Sequence, residues 1–186
     1  GDNLEHTSII GPFNAKNVNS AVLVSEEIGL SPSQIKQGLQ SFVPAFGRGE
    51  VIKEFGKTFY IFLAKNPASF NNNLSLLKSD CLNFDSILFL LNDKIPDGRD
   101  VSWIYDIDPN FLREVCTNKK VYIGGTRSLD MNIRLNYAQV ANIVDDFGSQ
   151  FSRKALSEVQ GNTIVVLPNY SAMLAFRKIL TGRDIL

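Results

Sequence analysis

A single histidine, His6, is all that the 186 residues hold. A Ser-His-Asp or Cys-His machine needs an imidazole beside its nucleophile. Nothing in the sequence puts His6 near one, so any hydrolytic chemistry would need a group from another chain. The two cysteines, Cys81 and Cys116, lack metal-ligand spacing and read as buried or incidental thiols of a reducing compartment. Charge of one sign is not in excess: nineteen Lys and Arg balance nineteen Asp and Glu. No basic arm or lysine-rich run offers a nucleic-acid footprint. No apolar run reaches the roughly 18 residues of a membrane span. Residues 1–10 are polar, without the basic and apolar regions of a signal peptide, so none is expected. Internal repeats and low-complexity segments are missing too.

What is present is a 44 % apolar fraction, ordinary for a globular protein with a real core. The first part reads as two helices. Gly11-Pro12-Phe13-Asn14 turns, with Asn14 as N-cap, and apolar residues from Val18 to Ile28 recur at helical spacing until Gly29. Ser31-Pro32-Ser33-Gln34 opens a second helix, with Ser31 as cap, ending near Gln40. This pair is too small for a domain and is expected to be the helical end of a larger one, over residues 1–46. Phe46-Gly47-Arg48-Gly49 marks the expected boundary, with an α/β domain over 47–186.

In that second part, Val51–Phe55 and Phe59–Leu63 predict a hairpin turning at Gly56-Lys57. Strands are expected at Ile87–Leu91, Lys120–Ile123 and Thr163–Leu167. Helices are expected over 68–80, 109–117, 128–138, 145–159 and 170–180. With the helix over 128–138, Leu129, Ile133 and Val140 lie roughly on one side. Apolar strands alternating with helices imply right-handed crossovers, hence a three-layer, Rossmann-like domain with a mainly parallel sheet.

Chemistry is expected in the stretch from Asn92 to Asp106, directly after the apolar run Ile87–Leu91. Four acids, Asp93, Asp97, Asp100 and Asp106, fall there beside the only tryptophan, Trp103. Loops at the carboxyl ends of strands in open α/β sheets are where ligands collect. A calcium loop counted from Asp93 fails, because Ile95 and Ile104 then occupy ligand positions. A magnesium site at Asp97 or Asp100 survives, since magnesium needs one or two carboxylates plus phosphate oxygens. Asp and Gly also simply make turns, and Asp100 or Ser102 could cap a short helix. A rigidly held carboxylate could instead orient a histidine, which would have to belong to a partner. Gly124-Gly125-Thr126-Arg127-Ser128 joins a strand to a helix and is open to anion binding or to a plain tight turn. Asn14 and Asn17, three apart, present amides that suit an adenine edge, and Arg48 between glycines suits a ribose or phosphate.

Together these segments resemble the Mur ligases, the ATP-dependent peptide-bond formers of cell-wall synthesis. Gly11-Pro12-Phe13-Asn14-Ala15-Lys16-Asn17 is similar to their G-x-(F/H)-N-x-x-N, and Gly47-Arg48-Gly49-Glu50 to their inter-domain G-R-x-E. Ala64-Lys65-Asn66-Pro67-Ala68-Ser69-Phe70, the Asp97–Asp106 run, Arg134-Leu135-Asn136-Tyr137-Ala138 and Leu167–Leu174 resemble one branch, MurT. That branch is the ligase-like subunit of lipid II isoglutaminyl synthase.

The resemblance implies a C-terminal fragment, with catalytic work shared between chains. MurT would use ATP, with Mg2+ held mostly by residues of an N-terminal part, to activate the D-glutamate α-carboxylate of lipid II. A glutaminase subunit, GatD, would supply ammonia at the inner face of the cytoplasmic membrane. An Asp of this domain would complete the glutaminase triad: Asp97 is the first choice, Asp100 the second, and Asp106 is read as structural. Asn14, Asn17 and Arg48 would meet the nucleotide, and no metal ligand is assigned here. One departure is Phe62, standing where Mur ligases commonly carry an Asp for the ribose. The alternatives are a non-enzymatic nucleotide-binding or docking module, and the C-terminal domain of an amino-acid-adding Mur ligase.

Overall fold

The computed structural model describes residues 12–42, 46–79, 82–141, 143–149 and 151–183. His6, Gly11 and Cys81 therefore lie outside the described residues. Packing divides the chain into two units, Gly1–Gly49 and Glu50–Leu186.

The first unit contributes helices α1 (Pro12–Glu27) and α2 (Pro32–Ser41). Helix α1 begins at Pro12, whose fixed φ and missing N–H suit a first helical position. Asn14 is thus the third residue of the helix and not its cap. Gly29, at φ 85°, ends α1 by taking the left-handed conformation that a side chain would resist. Ser31 and Gln34 form the expected reciprocal cap of α2, with the Ser31 N–H donating to Gln34 Oε1 at 2.9 Å.

In the second unit six strands form one sheet in the order β1-β2-β6-β3-β4-β5: β1 (Arg48–Glu54), β2 (Lys57–Phe62), β3 (Ser86–Leu90), β4 (Lys120–Gly124), β5 (Ile143–Asp146) and β6 (Thr163–Pro168). From β2 to β5 every pairing is parallel. The β1–β2 hairpin turns at Phe55-Gly56, one residue earlier than expected. Both turn residues have positive φ, 55° and 71°, as a two-residue hairpin turn matching strand twist requires. That register points Phe59 and Ile61 into the core. All five residues of β3 are buried, as befits a central strand covered on both faces.

Helices α3 (Pro67–Lys78), α4 (Pro109–Cys116) and α5 (Ser128–Tyr137) cover one face of the sheet, packing Phe70, Leu74, Leu112 and Met131 on Ile87, Phe89 and Ile123. Helices α6 (Arg153–Glu158) and α7 (Tyr170–Thr181) cover the other, packing Leu156 and Phe176 on Leu88, Leu90 and Val166. After β3 the chain enters the first layer, and after its neighbour β6 it enters the second. The crevice beyond the carboxyl ends of β3 and β6 is therefore the topological switch point, where ligands of open α/β sheets bind.

Two expectations are corrected. The helix expected over 145–159 is instead the edge strand β5 followed by the short α6. Ile143-Val144-Asp145-Asp146 is half polar because an edge strand faces water, which hides its period. Helix α5 buries Ser128, Met131, Arg134 and Leu135, while Leu129 and Ile133 face outward. Val140 is buried but lies beyond the helix.

At the opposite end of the sheet, Asp85 holds the entry to β6. Its Oδ2 accepts from the N–H groups of Asn162 (2.7 Å) and Thr163 (2.9 Å). These bonds favour the carboxylate and draw its pKa below the ordinary value. A depressed folded-state pKa gives a contribution that is full above the unfolded value and is lost as pH falls through the folded one. Asp85→Asn should thus lower stability at neutral pH and flatten its decline below about pH 4, read by denaturant melts across pH 3–7.

Candidate functional site

Three strand ends meet at the switch point through side-chain amides. Asn92 directly follows β3 and its neighbour Leu91, and Asn169 follows β6; both are buried. The Asn92 N–H donates to Asn169 Oδ1 at 3.1 Å, and Asn169 Nδ2 donates to the Asn92 carbonyl at 2.7 Å. Asn92 Oδ1 also accepts the Thr126 N–H at 2.9 Å, which brings in the turn after β4. Its Nδ2 donates to Ser171 Oγ at 3.2 Å.

Ser171, in the first turn of α7, passes this order on to Asp97. Its N–H donates to Asp97 Oδ1 at 3.0 Å and its hydroxyl donates to Asp97 Oδ2. Both carboxylate oxygens are thereby positioned at the N-terminus of α7. Asp97 is half-buried in a short 3-10 turn, Ile95–Asp97, and each oxygen keeps acceptor capacity. Gly98 leaves that turn at φ 79°.

Asp100 is exposed, and its Oδ1 accepts the Ser102 N–H at 2.8 Å. That bond chiefly holds its pKa below the usual carboxylate value, with the positive charge of Arg127 adding to it. It starts the 3-10 turn Ser102–Asp106, which sends Ile104 into the core and leaves Asp106 exposed. Asp93 accepts from Thr126 Oγ1 at 2.7 Å and pairs with Arg127, which also forms two bonds to Asp130 at 2.7 and 3.0 Å. Those bonds lower the pKa of both acids and raise that of Arg127.

The Gly124-Gly125 segment is a tight turn. The Gly125 N–H donates to Gly148 O at 2.7 Å, Arg127 N–H to Leu91 O at 3.0 Å and Ser128 N–H to Gly125 O at 3.2 Å. With the Thr126 N–H on Asn92, the amides an anion would need are engaged within the protein. A Cβ on Gly125 would fall 2.1 Å from Leu91 O, so the backbones approach too closely for any other residue. Among the described residues no cluster of three or more His, Cys, Asp or Glu converges as a metal site. The switch-point acids instead take donors from their own chain. Cys116 is inert, its thiol pushed up to about 12 by burial.

Asn14, half-buried, and Asn17, exposed, share one face of the early turns of α1. Arg48 is exposed at the start of β1 between Gly47 and Gly49, at φ 73° and 78°. Amides at this spacing and a guanidinium on a glycine-flanked strand end have the chemistry for a purine edge and for ribose or phosphate oxygens.

Sequence reasoning assigned no role to the residues that build the site, although they fall in the segments singled out: Asn92, Asn169, Ser171 and above all Arg134. Arg134 is 4 % exposed, and its guanidinium donates to the carbonyls of Ile104 (2.8 Å) and Ile107. It closes the end of the acidic loop from within α5. Two asparagines, each following an apolar strand, were the available signal for the amide pair.

This fold is shared by known ligases. The chain is similar to folylpolyglutamate synthase from Thermotoga maritima, at 21 % identity and TM-score 0.62, over 96 % of this chain and 41 % of that one. It is likewise similar to UDP-N-acetylmuramoylalanyl-D-glutamyl-2,6-diaminopimelate--D-alanyl-D-alanyl ligase from Acinetobacter baumannii, at 16 % and 0.63, over 95 % and 38 %. The fold class is thus that of the C-terminal part of Mur-type ligases. Residues 63–173 match the family described as MurT ligase C-terminal, and the chain belongs to that family. It is 34 % identical over 167 residues to the lipid II isoglutaminyl synthase (glutamine-hydrolyzing) subunit MurT of Staphylococcus aureus, covering 89 % of this chain and 37 % of that protein. With the subunit of the same name from Streptococcus pneumoniae the figures are 28 %, 94 % and 39 %. The chain spans less than two fifths of the length of these relatives. No helix among the described residues is long and apolar enough to cross a membrane.

Replacing Arg134 by Met keeps much of the volume but strands two carbonyls. We expect a loss of about 2–4 kcal/mol in a chemical melt. Faster hydrogen exchange should be confined first to residues 101–107 and α5.

Proposed function

We propose that this chain is part of the MurT subunit of a glutamine-dependent lipid II isoglutaminyl synthase. In this reading the whole subunit uses ATP and Mg2+ to activate the D-glutamate α-carboxylate of lipid II. Ammonia released by a glutaminase subunit, GatD, then forms D-isoglutamine at the inner face of the cytoplasmic membrane. The unit Gly1–Gly49 is the helical end of the central ATP-binding domain, where Asn14 and Asn17 meet the adenine and Arg48 meets ribose or phosphate. Most magnesium ligands lie in the part of the subunit that precedes this chain. The unit Glu50–Leu186 docks the glutaminase and lends it an aspartate.

One observation carries the assignment of that aspartate: Asp97 stands at the switch point with both oxygens oriented by Ser171. A triad carboxylate must hold an imidazole in one tautomer and orientation, which demands a fixed acceptor with capacity to spare. Asp97 meets that requirement better than Asp100, whose bonding to Ser102 is local to its own exposed turn. A chain with one histidine leaves the imidazole and the nucleophile to the glutaminase.

Glutamine hydrolysis by the purified pair tests this. Asp97→Asn should lower the maximal rate by roughly 100-fold or more, the scale of a positioned proton-transfer group, with association between the chains retained. Asp100→Asn should have an effect of about threefold at most by comparison. If both variants hydrolyse glutamine at the parent rate, the shared triad does not exist.

A further inference from the structure

Helix α5 carries three large apolar side chains on its outer face as well as those it buries. Leu129 is 69 % exposed, Ile133 49 % and Tyr137 74 %. They recur every four residues, on the side away from the buried Met131 and Leu135, and extend about 12 Å along the helix. Tyr105 adds to this stripe, its ring edge-on to Tyr137 at 6.3 Å between centroids. Asp130, paired to Arg127, lies along one margin, and Asn132 and Asn136, bonded to each other, lie along the other. An apolar centre with two tyrosines and a polar rim is the make-up of a protein–protein contact.

We infer that the α5 stripe, Leu129, Ile133, Tyr137 and Tyr105, is the docking surface for the glutaminase subunit, an inference that rests on the function proposed above. The occupant is argued from how the stripe is joined to the candidate carboxylates. Arg134, on the inner side of α5, holds the carbonyls of Ile104 and Ile107. Tyr105 belongs to the same 3-10 turn that Asp100 starts. Arg127, which precedes α5, lies close enough to Asp100 to shift its titration. Stripe and acidic loop are thus joined through Arg134 and Tyr105. A protein that brings a histidine to that loop, with a usual footprint near 800 Å² on each partner, extends onto the stripe. Earlier in the same loop, two positions before Asp97, Ile95 stands 96 % exposed.

The test measures glutamine hydrolysis while the cognate glutaminase is titrated against a fixed amount of this chain, beside direct binding by interferometry. Leu129→Glu and Ile133→Glu should each weaken association, and together by roughly 30-fold, the loss expected at an interface hot spot. The plateau rate at saturating glutaminase should be unchanged, which separates docking from the loss of plateau expected of Asp97→Asn. Val51→Glu, about as exposed as Ile133 but on β1, should leave both quantities unaltered. Leu129→Cys should react rapidly with a maleimide in the free chain and be protected by added glutaminase. If the parent chain binds and the Glu variants bind equally well, the stripe assignment is overturned while the proposed function stands. Failure of the parent chain to bind overturns both. Concentration-dependent dimers of the parent chain that Leu129→Glu abolishes would assign the stripe to a second copy and overturn the inference.

Discussion

The exchange of hydrogen bonds between Asn92 and Asn169 is the constraint on which the functional end of this protein depends. Strands β3 and β6 lie side by side but send the chain to opposite layers, so their ends diverge and leave backbone groups without ladder partners. Two buried amides close that gap, each supplying a donor and an acceptor. Unsatisfied groups there would cost about 1–3 kcal/mol each. Because Asn92 also reaches Thr126 and Ser171, one side chain sets the mutual position of β3, β4 and α7. Asp97 inherits its placement from this network through Ser171.

The acidic loop is held from three sides by different chemistry. Ser171 at the N-terminus of α7 fixes Asp97, Thr126 and Arg127 fix Asp93, and Arg134 fixes the carbonyls beyond Trp103. The buried Arg134 meets carbonyl oxygens, not a carboxylate, and burial lowers its pKa from the usual arginine value. A charge retained in such surroundings must be well bonded. The result is a loop whose backbone is rigid while Asp100, Tyr105 and Ile95 face solvent.

Legibility in the sequence followed burial. The inner strands β3, β4 and β6 were visible as apolar runs because both faces are covered. Helix α2 was visible through its cap, Ser31 with Gln34. The edge strand β5 was not visible, because Asp145 and Asp146 face water and mimic the polar side of a helix. On α5, Leu129 and Ile133 belong to the outer face while Val140 lies buried beyond the helix, and the inner face includes an arginine and a serine. The Gly124-Gly125 turn was open to two readings, and only the partners of its amides decide for a tight turn.

The sequence by itself determined the α/β class and the order of most elements. Those properties follow from local period, capping chemistry and composition, which neighbouring residues settle among themselves. Only the tertiary structure decided which acid is oriented, which arginine closes the loop and which side of α5 faces outward. Asn92 and Asn169 stand 77 positions apart, as Asp97 and Ser171 stand 74. Hydrogen bonds across such separations exist only after the sheet has brought the strand ends together. The stretch from Asn92 to Asp106 was recognisable as polar and acidic from its residues alone. Its geometry comes from residues elsewhere in the chain.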